Sequence, residues 1–251
     1  MNTWANIKTI AKRELGAYFS SPLAYIFIVI FLFLCGLFAF VLRPTLLERG
    51  QASLTANFFF WHPWFYLFLV PAVGMRLWAE ERRVGTIELL LTMPITAWQA
   101  IVGKFLASWL FLAVALALTF PIVVTVNYLG SPDNGVVLAG YLGSWLMAGA
   151  YLAVSCITSA MTRNQVISFI VSVVVCLFLI LAGFQPVIDF LHDLLRARPG
   201  LVDAIASFSV ITHFEGLQRG VLDLRDILFF VSLIGFSLFT TSIVLRSHRA
   251  G

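Results

Sequence analysis

The chain alternates between long apolar runs and short polar segments. Lys, Arg, Asp and Glu are absent from six stretches of at least 19 residues, which are 15–42, 50–75, 105–132, 134–162, 164–188 and 227–245. A helix needs about 20 apolar residues to cross a bilayer, and a charge at its centre costs roughly 2.5–3.5 kcal/mol. The pattern therefore predicts six transmembrane helices, at about 22–42, 58–78, 97–126, 138–161, 166–184 and 227–245.

The segments outside these spans have patterns of their own. Residues 1–20 predict an amphipathic helix lying in the membrane interface, with an apolar face of Trp4, Ile7, Ala11, Leu15 and Tyr18. The outer segment 185–226 predicts short helices at about 186–197 and 201–209, and a capping box at 212–215. Two interpretations of this segment stand side by side: a lid or accessory-protein site, or interfacial helices that shield the bundle.

The inner segment 80–96 is the richest polar stretch near the predicted cytoplasmic face. Gly85 and Thr86 predict a turn and an N-cap, and a short helix would follow at 87–92 before Pro94 ends it. Thr96 and Gln99 have the capping-box spacing at the start of the third span. A helix this short is not stable alone, so it is either a docking helix for a cytoplasmic partner or an ordinary interfacial turn in which Glu81 pairs locally.

Two further patterns concern the spans themselves. Seven aromatic residues among positions 58–66, with His62 between them, predict an aromatic belt at the outer interface, and Pro71 predicts a kink in the second span. Small residues four apart between 139 and 153 allow close helix packing in lipid. Packing within the chain is favoured there over a seam between two copies.

Composition and charge support a membrane protein. The chain of 251 residues is 61% apolar and 11% charged, against roughly 25% charged in soluble domains. Ten of the basic residues fall on the side of the membrane that holds both termini, and the positive-inside rule makes that side cytoplasmic. They are Lys8, Lys12, Arg13, Arg76, Arg82, Arg83, Lys104, Arg163, Arg246 and Arg249. The net charge of +4 thus reflects topology, and a nucleic-acid partner is not expected.

Catalytic motifs are missing from the sequence. It contains no phosphate-binding Gly-x-x-x-x-Gly-Lys-Ser/Thr, no His-Glu-x-x-His and no Gly-x-Ser-x-Gly. The four histidines lack metal-ligand spacing, and Cys35, Cys156 and Cys176 lie inside predicted spans as small apolar residues. We therefore expect no catalytic, metal or cofactor site on this chain, and no enzymatic activity of its own.

The run ERRVGTIELLLTMPITAWQAIVGK at 81–104 contains Glu-x-x-x-Gly-Thr and resembles the hallmark stretch of ABC-2 class exporter permeases. The order of an interfacial helix, six spans, a cytoplasmic coupling helix and outer helices before the last span is also similar. Residues 214–226 further resemble the gliding-motility-associated (GldF-like) branch of these permeases. The resemblance covers nearly the whole chain and implies an all-α integral membrane fold, with 1–251 forming a single permease domain.

The resemblance implies a permease subunit in the bacterial inner membrane, with both termini in the cytoplasm. Two separate ATP-binding subunits would hydrolyse ATP–Mg, and a second copy or a related permease would complete the path. An accessory subunit with an extracytoplasmic domain would contact 185–226. The residues that would receive the motion of the ATPase are Glu80, Glu81, Arg83, Gly85, Thr86 and Glu88, with Lys8, Lys12 and Arg13 of the N-terminal helix.

Alternatives to an ATP-driven exporter remain open at this level. The same fold would serve a structural or mechanical module that moves an extracytoplasmic partner without passing a substrate. A carrier or channel that works alone is disfavoured, because no charge falls in the middle of a span and no internal repeat is visible. An intramembrane enzyme lacks a catalytic constellation.

Overall fold

The computed structural model describes residues 3–40, 54, 58–85, 95–194 and 199–247, and every longer regular element in these ranges is an α-helix. The first six helices are α1 (Thr3–Phe19), α2 (Pro22–Phe40), α3 (His62–Gly74), α4 (Arg76–Val84), α5 (Ala97–Ala117) and α6 (Phe120–Leu129). The next six are α7 (Asn134–Met161), α8 (Gln165–Leu181), α9 (Gln185–Leu194), α10 (Pro199–Ala206), α11 (Val210–Gln218) and α12 (Leu224–Ser247). The all-α architecture is confirmed.

Four of the described helical segments are long and apolar enough to cross a membrane: α2, α5 continued by α6, α7 and α12. The pair α8 and α9, bent by 73°, adds a fifth if it is one broken span. The continuous second span expected at 58–78 is corrected, because α3 ends at Gly74 and α4 begins at Arg76. Pro71 has no amide hydrogen, which weakens the helix one turn before this break.

Helix α7 forms the centre of the bundle, and α3, α4, α5, α8, α11 and α12 all pack against it. Its glycines permit close contact: a Cβ on Gly140 would lie 2.5 Å from the Phe59 ring, and one on Gly149 would lie 2.6 Å from the Trp109 ring. This arrangement confirms that the small residues of this span serve packing within the chain.

The predicted aromatic belt is largely wrong. Phe58, Phe59 and Tyr66 are buried in the core, and Phe60 is the most exposed of the group. His62 is also fully buried, and its Nδ1 is hydrogen-bonded to the Ser144 hydroxyl, which also pairs with the Tyr66 hydroxyl at 3.0 Å. Because polar groups on α3 find a partner on α7, this aromatic segment faces inward.

The segment 185–226, which is predicted to lie outside, contains short helices, as expected. The first two are α9 and α10, although α10 begins at Pro199 and ends at Ala206. The capping box predicted at 212–215 is wrong, because α11 already begins at Val210. The Ser209 hydroxyl caps it by accepting a hydrogen bond from the Ile211 amide at 3.1 Å.

Candidate coupling site at the charged end of the bundle

The N-terminal helix packs on the start of α5. Ile7 and Ile10 are buried there, and a Cβ on Gly103 would lie only 2.8 Å from Ile10 Cγ2. Asn6 donates to the Gln99 side chain at 3.3 Å, which strengthens the same contact. Ile10, which the predicted apolar face left out, is part of the face that packs on α5, whereas Trp4 is 75% exposed and takes no part in this packing.

The other end of α1 is held to α5 by Tyr18. Its hydroxyl lies 2.9 Å from the Ser108 hydroxyl, and its ring stacks on Phe111 with the centroids 5.1 Å apart. Burial raises the pKa of Tyr18 to about 12, so the phenol is neutral at physiological pH. Both ends of α1 therefore contact α5, the first through Asn6 and the second through Tyr18, and the two helices form one packed unit.

A buried lysine joins three helices at this end of the molecule. Lys104 lies two turns into α5 and is 4% exposed. Its ammonium nitrogen lies 2.8 Å from a carboxylate oxygen of Glu81 on α4 and 3.5 Å from one of Glu14 on α1. It also lies 5.4 Å from the centroid of the Trp78 ring. We refer to Lys104, Glu81 and Glu14 as the lysine cluster.

Helix α4 is also fixed to α7. The Ser159 hydroxyl accepts hydrogen bonds from the Trp78 and Ala79 amides, each at 3.0 Å, and donates to the Met75 carbonyl at 2.9 Å. These are backbone groups at the break between α3 and α4 and in the first turn of α4, the part of a helix in which the first amides lack intrahelical partners. One hydroxyl thus stabilises the break and positions α4 on the central helix.

Arg82 provides a second contact between α4 and α7, because its guanidinium donates to the Ala160 carbonyl. Burial lowers the pKa of Arg82, and the nearby charge of Arg163 lowers it further. The positive side chain also lies at the C-terminal end of α7, where cations are favoured.

The residues predicted for the coupling interface have distinct surroundings. Glu80 pairs with Arg83 at 2.7 Å on the surface of α4. Lys8, Lys12 and Arg13 lie on the exposed side of α1. Arg13 pairs with the adjacent Glu14 at 2.9 Å.

The segment that follows α4 begins at a defined turn. Gly85 ends α4 with φ +79°, a left-handed conformation that glycine adopts without strain. Thr86 and Glu88, and the short helix predicted at 87–92, lie outside the described residues. In the described range that begins at Ile95, Thr96 and Gln99 form the predicted capping box, with the Gln99 amide donating to the Thr96 hydroxyl at 3.3 Å.

Sequence reasoning missed Lys104 and Ser159 as parts of this site. The charge pattern places Lys104 only among the basic residues of the cytoplasmic side, yet it is the only Lys, Arg, Asp or Glu in the predicted span 97–126. An ionisable residue inside an apolar helix requires a partner, and that rule could have indicated an acidic residue nearby. The interpretation in which Glu81 pairs only within its own segment does not account for its contact with Lys104.

Apolar helices of spanning length and a buried central helix define an integral membrane protein of the all-α class. A family model described as ABC-2 family transporter protein matches residues 47–246. The chain therefore belongs to the ABC-2 family of transporter proteins. A comparison with curated proteins finds no match.

Proposed function

We propose that this protein is the permease subunit of an ATP-driven exporter, and that a separate ATP-binding subunit drives it through α4 and the segment that follows. Its family membership supports the permease role. The observation that carries the coupling role is the lysine cluster, because one buried ammonium links α4, α5 and α1 at 2.8 and 3.5 Å.

The proposed route of motion follows from these contacts. Helix α4 is held to α7 by Ser159 and Arg82, and to α5 by the Lys104–Glu81 ion pair. A force applied to the segment after Gly85 would reach α4 first. Because α4 is held to both α7 and α5, its movement would displace these two helices as well. The exposed cations of α1 lie on a helix that is packed on α5, so contact with an ATPase there would act on the same unit.

The proposed assembly has two permease chains, the second either identical or related, and two ATP-binding subunits that carry ATP–Mg. The proposed location is the bacterial inner membrane with both termini in the cytoplasm, based on the distribution of Lys and Arg. Within the family we propose the gliding-motility-associated branch, which residues 214–226 resemble. The outer helices α9, α10 and α11 are the proposed contact for an accessory subunit.

The test of coupling is ATPase stimulation in a reconstituted complex. The chain is purified with the ATP-binding protein that accompanies it, and hydrolysis is measured with and without the permease. We expect Glu81→Ala to insert into the membrane normally and to abolish the stimulation. Glu215→Ala, which removes an exposed carboxylate at the other end of the molecule, is the matched control and should retain it.

Two results would contradict the proposal. The first is full stimulation by the Glu81→Ala variant, which would remove the lysine cluster from the mechanism. The second is the absence of any co-purifying ATP-binding protein together with uptake or export by the isolated chain, which would make the protein an independent carrier.

A further inference from the structure

A crevice of about 350 Å³ opens between α1, α2, α3 and the start of α4. This volume lies within the range of small-ligand sites, roughly 300–1,000 Å³. Most of its lining is apolar and includes Ala17, Ile26, Phe27, Leu69, Ala72 and Phe111. Leu69 lies seven residues before Arg76, so the apolar part extends roughly 10 Å from the charged end at a helical rise of 1.5 Å per residue.

Three charged residues line the same crevice: Glu14, Lys104 and Arg76. Glu14 and Lys104 pair with each other, and Lys104 also pairs with Glu81. Arg76 is exposed and forms no ion pair or hydrogen bond with any residue in the part of the chain that the structure describes. The crevice therefore has a mostly apolar lining and, at its mouth, one cation that makes no ion pair among the described residues.

We propose that this crevice binds one anionic phospholipid of the adjacent leaflet, with the phosphate on Arg76 and an acyl chain between α2 and α3. A guanidinium forms charge-assisted, often bidentate hydrogen bonds with phosphate. The crevice opens at the side of the bundle, where Leu23, Ile26 and Ile30 of α2 remain 43–52% exposed and a bilayer lipid can reach it. If this end faces the cytoplasm, it lies in the leaflet that is rich in anionic lipids.

This site is independent of the proposed coupling function, because it requires only that the chain be embedded in a membrane. A lipid bound in the crevice would lie beside Glu14 and Lys104. It would also fill the space between α1 and α2, since residues of both helices line the crevice. An apolar crevice left empty would lose the packing contacts of its walls.

The test is lipid binding to the full chain in detergent, measured by native mass spectrometry with dioleoyl phosphatidylglycerol and dioleoyl phosphatidylcholine. We expect the anionic lipid to bind about tenfold more tightly, as a hydrogen-bonded charge pair would provide. Arg76→Gln should remove that preference. Arg163→Gln, the same change at another exposed arginine of this end, should keep it.

A second variant tests the acyl-chain site. Ile26→Trp places a large side chain in the crevice from the exposed face of α2, and it should weaken binding of both lipids. Equal binding of the two lipids to the unmodified chain, or unchanged binding in Arg76→Gln, would overturn the proposal. The proposal would also be overturned if the variants changed only the fraction of dimer and not lipid binding, because the crevice would then be a contact between two copies of the chain.

Discussion

The ammonium nitrogen of Lys104 lies 2.8 Å from a carboxylate oxygen of Glu81, and the two residues belong to different helices that both pack on α7. Lys104 is nearly inaccessible, and the carboxylates of Glu81 and Glu14 are its counter-ions. Breaking a buried pair by removing one partner is costlier than removing both, because it leaves an uncompensated charge. The pair therefore makes the position of α4 dependent on the position of α5.

Replacing Lys104 tests this dependence directly. We expect Lys104→Met to lower the free energy of unfolding by about 3 kcal/mol, since Glu81 loses its buried counter-ion. Lys12→Met, at an exposed lysine on α1, should change it by less than about 0.5 kcal/mol. Thermal unfolding of the detergent-purified chain measures both.

The double variant completes the cycle. Lys104→Met combined with Glu81→Gln should be less destabilised than the sum of the two single variants, because the double variant removes the ammonium and the Glu81 carboxylate together and each single variant removes only one of them. Additive effects would mean that the contact carries no coupling energy.

Ser159→Ala tests how α4 is attached to the central helix. The variant removes one acceptor shared by the Trp78 and Ala79 amides and a donor to the Met75 carbonyl. Unsatisfied buried polar groups cost about 1–3 kcal/mol, so we expect a loss of stability in that range. Ser232→Ala, where the hydroxyl is exposed and bonds only within its own helix, is the control. Equal thermal stability of the two variants would contradict the proposed role of Ser159.

Gly103 tests the contact between α1 and α5. A methyl group there would meet the Cβ of Ile10 at 2.9 Å, a branched atom close to the backbone that cannot move aside easily. We expect Gly103→Ala to cost about 1–3 kcal/mol, as overpacking does. Gly36→Ala has open space around the new atom and should be neutral or stabilising by up to about 1 kcal/mol through helix propensity. We expect Gly103→Ala to have a lower melting temperature than Gly36→Ala. The opposite order would contradict this account of the contact.

Gly85 tests the turn that ends α4. Proline fixes φ near −65°, so Gly85→Pro cannot adopt the observed +79° and should misdirect the chain that follows. Asparagine tolerates the left-handed region, so Gly85→Asn preserves the turn. We expect both variants to insert, and only the proline variant to lose stimulation of the partner ATPase. Retained stimulation in Gly85→Pro would show that the direction of the chain at this turn is irrelevant.

The fold class followed from the sequence because charges are so costly in a bilayer that their positions alone outline the spans. The capping box at Thr96 and Gln99 was also predictable, since it depends on a local spacing. The inward orientation of His62 and Phe59 was not, because it depends on which residues of α7 lie opposite. Hydropathy does not distinguish an aromatic residue facing lipid from one facing another helix.

The candidate site was predictable only in part, for the same reason. The sequence placed the acidic and basic residues of 80–88 at one end of the bundle, but it did not show that Glu81 reaches a lysine 23 positions later. Similarly, the hydroxyl of Ser159 has no sequence signature, because the two amides that donate to it lie 80 and 81 positions earlier in the chain. Contacts between distant parts of the chain require the arrangement of the helices.

Cysteine labelling tests the orientation on which the coupling proposal depends. The three natural cysteines, Cys35, Cys156 and Cys176, are buried, so the unmodified chain should react little with a membrane-impermeant maleimide. Val84→Cys, at a position 62% exposed beside Gly85, should be labelled only after the cells are permeabilised. Arg219→Cys, on the exposed surface beyond α11, should be labelled in intact cells. Labelling of Val84→Cys in intact cells would place α4 outside the cytoplasm, where no ATP-binding subunit could reach it, and the coupling proposal would fail.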